Sequence, residues 1–288
     1  MGMASDPAVP QGTSRRGFFG LAAGAVTSLA FAALSGCGGG GGDKQDVPSY
    51  ITTNGTGRLA TVAIGPDPGG VFISRITQFQ AAWPDANPPP QFRVRLFRYK
   101  EARGGEGREI SEQSVDVFQP GATTWGIRRR GGSEMDQGGV YYLELTTPDQ
   151  QEVLAAYIIT NDRSQPLPGR AVDVTPGTGG SLRGLTISPA PGSVFIRRNT
   201  TFTLAWNGEI PPPSQFTVAL RRYQEARGGE ARKDEEQRIF VNRQGNANAW
   251  TVGRTDNFLL DPGGVYYLEV VAPGEAPVRA AYIISAER

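Results

Sequence analysis

Beyond residue 58, apolar and polar positions alternate with a period of two. Phe79, Ala81 and Trp83 are spaced by polar or small residues, as are Phe202, Leu204 and Trp206, and the same holds for Phe92, Val94, Leu96 and for Phe216, Val218, Leu220. Successive side chains of a strand point to opposite faces, so this spacing predicts half-buried antiparallel strands. Tyr141, Leu143, Leu145 and Tyr266, Leu268, Val270 predict a further pair, and Val153, Ala155, Tyr157, Ile159 with Val278, Ala280, Tyr282, Ile284 predict another. Turns rich in Gly, Pro and Asp separate these segments, and no helical period competes with them. The pattern predicts an all-β fold with about seven strands in each of two β-sandwiches.

The pairing of segments reflects an internal repeat, spanning residues 66–159 and 189–284. Gly138-Gly139-Val140-Tyr141-Tyr142-Leu143-Glu144 recurs as Gly263-Gly264-Val265-Tyr266-Tyr267-Leu268-Glu269. Glu101-Ala102-Arg103-Gly104-Gly105-Glu106 recurs as Glu225-Ala226-Arg227-Gly228-Gly229-Glu230. Each unit has the size of one small domain. The expected organisation is sandwich repeat 1 over 58–162, a Pro- and Gly-rich linker over 163–180, and sandwich repeat 2 over 181–288.

Leu260, Pro262, Gly264, Tyr266, Leu268 and Val270 fall at alternate positions, with Met135, Gln137, Gly139, Tyr141, Leu143 and Leu145 as a weaker version. This resembles the strand F signature of fibronectin type III domains, and Trp83 and Trp206 resemble that family's buried strand B tryptophan. The resemblance implies two tandem Ig-like, fibronectin III-like sandwiches, with Tyr141 and Tyr266 as tyrosine corners whose hydroxyls bond nearby backbone. Trp125 and Trp250 are expected to pack opposite Trp83 and Trp206, a sugar-stacking role being the alternative. Residues 107–124 and 231–249 are longer and more charged than that family carries, which leaves the strand order there open.

The opening of the chain carries a different signal. Arg15-Arg16 precedes a weakly apolar run of about 20 residues, the length of a membrane span, which closes on Leu34-Ser35-Gly36-Cys37. This resembles a twin-arginine export signal fused to a bacterial lipoprotein box, and implies export, cleavage after residue 36 and lipidation of Cys37. The implied partner is the membrane, through that anchor, and the implied location is the bacterial cell envelope. Residues 37–57 open with a glycine run that has no side chains to pack, and a disordered tether is expected there.

Composition narrows the chemistry. There are 29 Lys and Arg against 28 Asp and Glu; removing Arg15, Arg16 and Asp6 with the signal leaves 27 of each. A neutral chain lacks the basic stripe that nucleic acid requires. No histidine is present, which excludes Ser-His-Asp and Cys-His nucleophile systems and nearly all zinc sites. Cys37 is the single cysteine, so no intrachain disulfide and no thiolate cage can form. No cofactor and no metal is expected, and the chain reads as a nonenzyme.

The repeated Glu-Ala-Arg-Gly-Gly-Glu stretch is the candidate contact point. Gly-Gly suits a hairpin tip, expected to be solvated, and Arg103, Glu106, Arg227 and Glu230 are the candidate binding residues for an envelope protein or a glycan. Glu101 with Glu106, or Glu225 with Glu230, could in principle form a glycosidase-type pair, and a convex tip is a poor place for one. The function these features imply is a noncatalytic adhesion, spacer or protein-interaction role, with carbohydrate binding as the alternative and a carboxylate-dependent hydrolase as the third.

Overall fold

Alternation carries into the structure strand by strand. The computed structural model describes residues 57–160, 180–245, 248–255 and 259–286. Arg15, Arg16, Cys37, the tether up to residue 56 and the linker up to residue 179 lie outside the described residues. Repeat 1 contains β1 (Ala63–Gly65), β2 (Val71–Ile73), β3 (Phe79–Ala82), β4 (Arg93–Lys100), β5 (Glu109–Gln113), β6 (Val115–Gly121), β7 (Thr124–Arg129), β8 (Val140–Thr146) and β9 (Glu152–Ile159). They form a four-stranded sheet, β1-β3-β7-β6, facing a five-stranded sheet, β2-β9-β8-β4-β5.

Repeat 2 repeats this plan. Its strands are β10 (Leu185–Ser188), β11 (Val194–Ile196), β12 (Phe202–Trp206), β13 (Thr217–Gln224), β14 (Lys233–Glu236), β15 (Ile239–Arg243), β16 (Ala249–Arg254), β17 (Val265–Val271) and β18 (Val278–Ile284). The sheets run β10-β12-β16-β15 and β11-β18-β17-β13-β14. Among the described residues the fold is all-β, with two tandem Ig-like sandwiches.

Each repeat has nine described strands where about seven were expected. The opening segment is split between sheets: β1 pairs antiparallel with β3, whereas β2 runs parallel to β9. The charged stretches 107–124 and 231–249 form edge strands of both sheets. An edge strand is paired on one side only and needs no apolar period, which hid these strands in the pattern. The four charged residues of β14 are held by β13, where Arg221 donates to Glu236 at 2.9 Å.

Each sandwich has its own core. Trp83 and Trp206 are buried, their indole N–H groups donating to the carbonyls of Arg58 and Ser181 at 2.9 Å. Trp125 meets Trp83 edge to face at 5.2 Å, and Trp250 meets Trp206 at the same distance, so both pack opposite their partners as expected. The Asp136 and Asp261 backbone N–H groups donate to the hydroxyls of Tyr141 and Tyr266 at 2.9 and 3.1 Å, which builds the two tyrosine corners.

A third apolar cluster belongs to neither sandwich alone. Tyr142, Ala156 and Ile158 of repeat 1 join Tyr267, Ala281 and Ile283 of repeat 2 in one buried group. These residues occupy the faces of β8, β9, β17 and β18 that point away from the sandwich cores, so the two five-stranded sheets pack against each other. Phe72 reaches across to meet Tyr223 and Tyr267 edge to face at 6.1 and 5.9 Å, and Phe195 returns the contact to Tyr99 and Tyr142. Both phenylalanines hold positive φ, 62° and 58°, a conformation a bulky residue adopts only when its surroundings enforce it. The two repeats are therefore held together by packing between their sheets as well as by the connecting chain.

Gly69 and Gly192 set how closely the sheets approach. The Ala156 N–H donates to the Gly192 carbonyl at 2.8 Å, and the Ala281 N–H to the Gly69 carbonyl at 2.9 Å. A Cβ at Gly69 would lie 2.6 Å from the Gly192 nitrogen, and one at Gly192 would lie 2.5 Å from the Gly69 nitrogen. Gly69→Ala is expected to cost more than the ~1–2 kcal/mol of left-handed strain alone, because the opposing backbone must move. Hydrogen exchange at the Ala156 and Ala281 amides should accelerate in this variant and not in Gly104→Ala, whose Cβ meets nothing within 4 Å. Equal protection in both variants would contradict the close approach.

Candidate functional site

The repeated hairpin tips form as the sequence suggests, but their arginines do not face solvent. Gly104 and Gly105 hold φ of 60° and 89° in a two-residue turn closed by reciprocal backbone hydrogen bonds between Arg103 and Glu106. Gly228 and Gly229 do the same between Arg227 and Glu230. Each tip lies against the other repeat. Arg103 Nη1 donates to the Glu225 carbonyl at 2.9 Å, and Arg227 Nη1 to the Glu101 carbonyl at 3.0 Å. The solvated hairpin expected from sequence is thus an interface element. Only Glu106 and Glu230 keep exposed carboxylates, at 3.5 and 3.6 Å from Arg227 and Arg103 across the boundary.

Beneath the tips lies a buried charge network that sequence reasoning missed. Arg98, Glu101, Arg222 and Glu225 are all buried. Arg98 pairs with Glu225 of the other repeat, and Arg222 Nη2 sits 2.6 Å from Glu101 Oε2, close enough to pair although off the hydrogen-bond direction. The register of β4 and β13 fixes this placement: Arg98 lies opposite Tyr141, and Arg222 opposite Tyr266. Each guanidinium then covers that tyrosine ring at 5.3 Å and donates from Nε to an aspartate, Asp136 or Asp261, at 2.9 Å.

The electrostatics follow from these partners. Burial alone would lower the Arg98 pKa, but the charge and hydrogen bonds of Glu225 and Asp136 outweigh it and hold the guanidinium above its usual value. Arg222 is raised in the same way against its burial, by Glu101 and Asp261. Burial would raise the Asp136 and Asp261 carboxyls, yet the facing arginines hold both below the usual carboxylate range. Tyr99 and Tyr223 are pushed up, chiefly by burial, and stay protonated donors. Their hydroxyls donate across the boundary to the carbonyls of Gly263 and Gly138 at 2.6 and 2.7 Å.

This arrangement orients and locks; it presents no free carboxylate pair. Glu101 and Glu225 are each flanked by two arginines, one in their own repeat and one in the other. A polar cleft of about 730 Å3 opens beside the first tip, lined by Lys100, Glu106, Glu109, Asp136, Glu225 and Arg227. Its lining carries charges of both signs. Trp125 and Trp250 are half-buried, with the rings of Phe92 and Phe216 against them edge to face at 5.1 and 5.2 Å.

No family model matches the chain, and no curated protein matches it. Among solved structures, the chain is similar to a titin fragment solved as an anomalous substructure, at 9% identity and TM-score 0.20, covering 75% of this chain and 93% of that one. A tandem of titin Ig domains is 10% identical at TM-score 0.19, covering 78% of this chain and 95% of that one. Pullulanase from Anoxybacillus sp. LM18-11, complexed with maltotriose, is 11% identical at TM-score 0.21, covering 69% of this chain and 23% of that one.

Proposed function

We propose that this chain is a lipid-anchored protein of the bacterial cell envelope whose two sandwiches act together as one rigid, noncatalytic spacer and protein-interaction module. The observation that carries the rigid-module reading is the reciprocal interface, in which buried ion pairs, tyrosine hydroxyls and backbone carbonyls of each repeat are held by the other. A spacer transmits position only if its domains do not rotate freely, and an interface rich in buried polar contacts fixes one orientation. The anchor reading rests on Arg15, Arg16 and Cys37, with the glycine-rich segment after Cys37 separating lipid from sandwich. Glu101, the inner member of the candidate carboxylate pair at the first tip, is engaged by Arg103 and Arg222, which weighs against a hydrolase reading at that tip.

Cys37→Ala is expected to leave export intact and to move the protein out of the membrane fraction, because one thiol carries all the lipid; a single acyl chain is marginal, and two or more hold firmly. Fractionation of cells expressing the variant reads this directly. Retention in the membrane fraction would mean that the apolar run itself is the anchor. Changing Arg15 and Arg16 together to Lys should accumulate precursor in the cytoplasm, and undiminished export of that variant would exclude the twin-arginine route.

A further inference from the structure

The hydrogen bonds, ion pairs and ring contacts across the boundary come in mirror pairs made by identical residue types. Arg98 with Glu225 mirrors Arg222 with Glu101. The Tyr99 hydroxyl on the Gly263 carbonyl mirrors Tyr223 on Gly138. Arg108 lies over the Phe195 ring at 5.9 Å, as Arg232 lies over Phe72 at 4.9 Å. This identity is not a general property of the repeats. On the same sheets, Phe97 and Leu154 of repeat 1 are buried in the shared apolar cluster, whereas their counterparts in repeat 2, Arg221 and Arg279, pair with Glu269. The residues that exchange hydrogen bonds, ion pairs and ring contacts across the boundary match, while these two members of the shared cluster have diverged.

An interface whose two sides carry the same residues in the same roles is isologous, the geometry of a twofold dimer. We propose that this surface is self-complementary, so that each repeat can pair with the same repeat of a second copy of this chain, and two chains can exchange their internal pairing for pairing with each other. In a pair formed by two first repeats, Arg98 meets Glu101 of the second copy, Tyr99 meets its Gly138 carbonyl, and Phe72 enters between its Tyr99 and Tyr142. No donor loses its acceptor. Pairing within one chain wins at low concentration because the connecting segment makes it intramolecular; crowding of anchored chains on a surface shifts the balance toward pairing between copies. The self-complementarity itself does not depend on the membrane anchor.

Two double variants of the full chain separate the alternatives, each carrying Cys37→Ala, purified in mild detergent and weighed by light scattering beside the Cys37→Ala parent. Arg98→Gln with Glu101→Gln leaves Glu225 and Arg222 without their charged partners across the boundary in the internal arrangement. Pairing between copies restores both, as an amide pair between first repeats and as the Arg222 to Glu225 ion pair between second repeats. Arg98→Gln with Glu225→Gln does the reverse: the internal arrangement keeps one neutral pair and one ion pair, and pairing of first repeats would strand Glu101. The first variant is expected to show twice the parent's mass, rising with concentration, and the second to keep the parent's mass. Equal mass for both folded variants would overturn the proposal. So would a first variant that fails to fold, by circular dichroism, while the second folds, since a second copy would then not be satisfying the exposed charges.

Discussion

Replacing Glu225 with Ala is expected to destabilise the folded unit by about 3–5 kcal/mol, the range for removing one partner of a buried ion pair. The Arg98 side chain is 7% exposed and keeps its charge, so losing the carboxylate leaves a cation that solvent cannot reach. Arg227 loses a hydrogen bond of 2.6 Å to the same residue. Glu106→Ala supplies the contrast: its carboxylate is 71% exposed and 3.5 Å from Arg227, and exposed pairs of this kind contribute about 0–1 kcal/mol. Urea unfolding of the two variants should therefore give midpoints far apart. A near-neutral Glu225→Ala would mean that water enters the boundary and that the repeats are not locked.

Trp83→Ala should cost about 3–5 kcal/mol, since it removes a fully buried indole and leaves a cavity that the rigid sheets cannot close. The Arg58 carbonyl also loses its donor, and Phe92 and Trp125 lose the ring they pack on. Trp206→Ala is equivalent in repeat 2, where the Ser181 carbonyl loses its donor. Because the repeats share the third apolar cluster, neither substitution should be confined to its own repeat: each should lower the unfolding midpoint of the whole unit. Denaturation followed by far-ultraviolet circular dichroism checks this, and an almost unchanged midpoint would place that indole at the surface.

The sandwich cores were legible because their residues obey a period of two and recur in both repeats. Trp83, Tyr141, Leu143 and Tyr157 lie where alternation puts them, and the glycine pairs adopt the positive φ that a tight hairpin demands. The boundary between repeats was half legible. Residues 140–143 and 153–159 are apolar at every position, the mark of strands buried on both faces, and reading only alternate positions there left Tyr142, Ala156 and Ile158 unexplained. The charge network was not legible at all. Arg98 and Glu225 are 127 residues apart, and each sits among residues that read as a polar strand end; only the packing of the two sheets makes them a buried pair. The Phe72 and Phe195 backbone conformation is equally invisible to a residue pattern.

The expected roles of Arg103 and Arg227 change accordingly. From sequence they are candidate binding residues on a solvated tip, but each guanidinium holds a backbone carbonyl of the opposite repeat. The double change should loosen the boundary, so any loss of binding must be read against stability. Glu106 and Glu230 are the members of the candidate set that can be altered without that cost.

The central claim, that the two sandwiches are one locked body, is tested most directly by differential scanning calorimetry of the unit they form. One transition is expected, with equal calorimetric and van't Hoff enthalpies, and Trp83→Ala should displace it as a whole. Two separable transitions, with Trp83→Ala moving one and leaving the other in place, would contradict it.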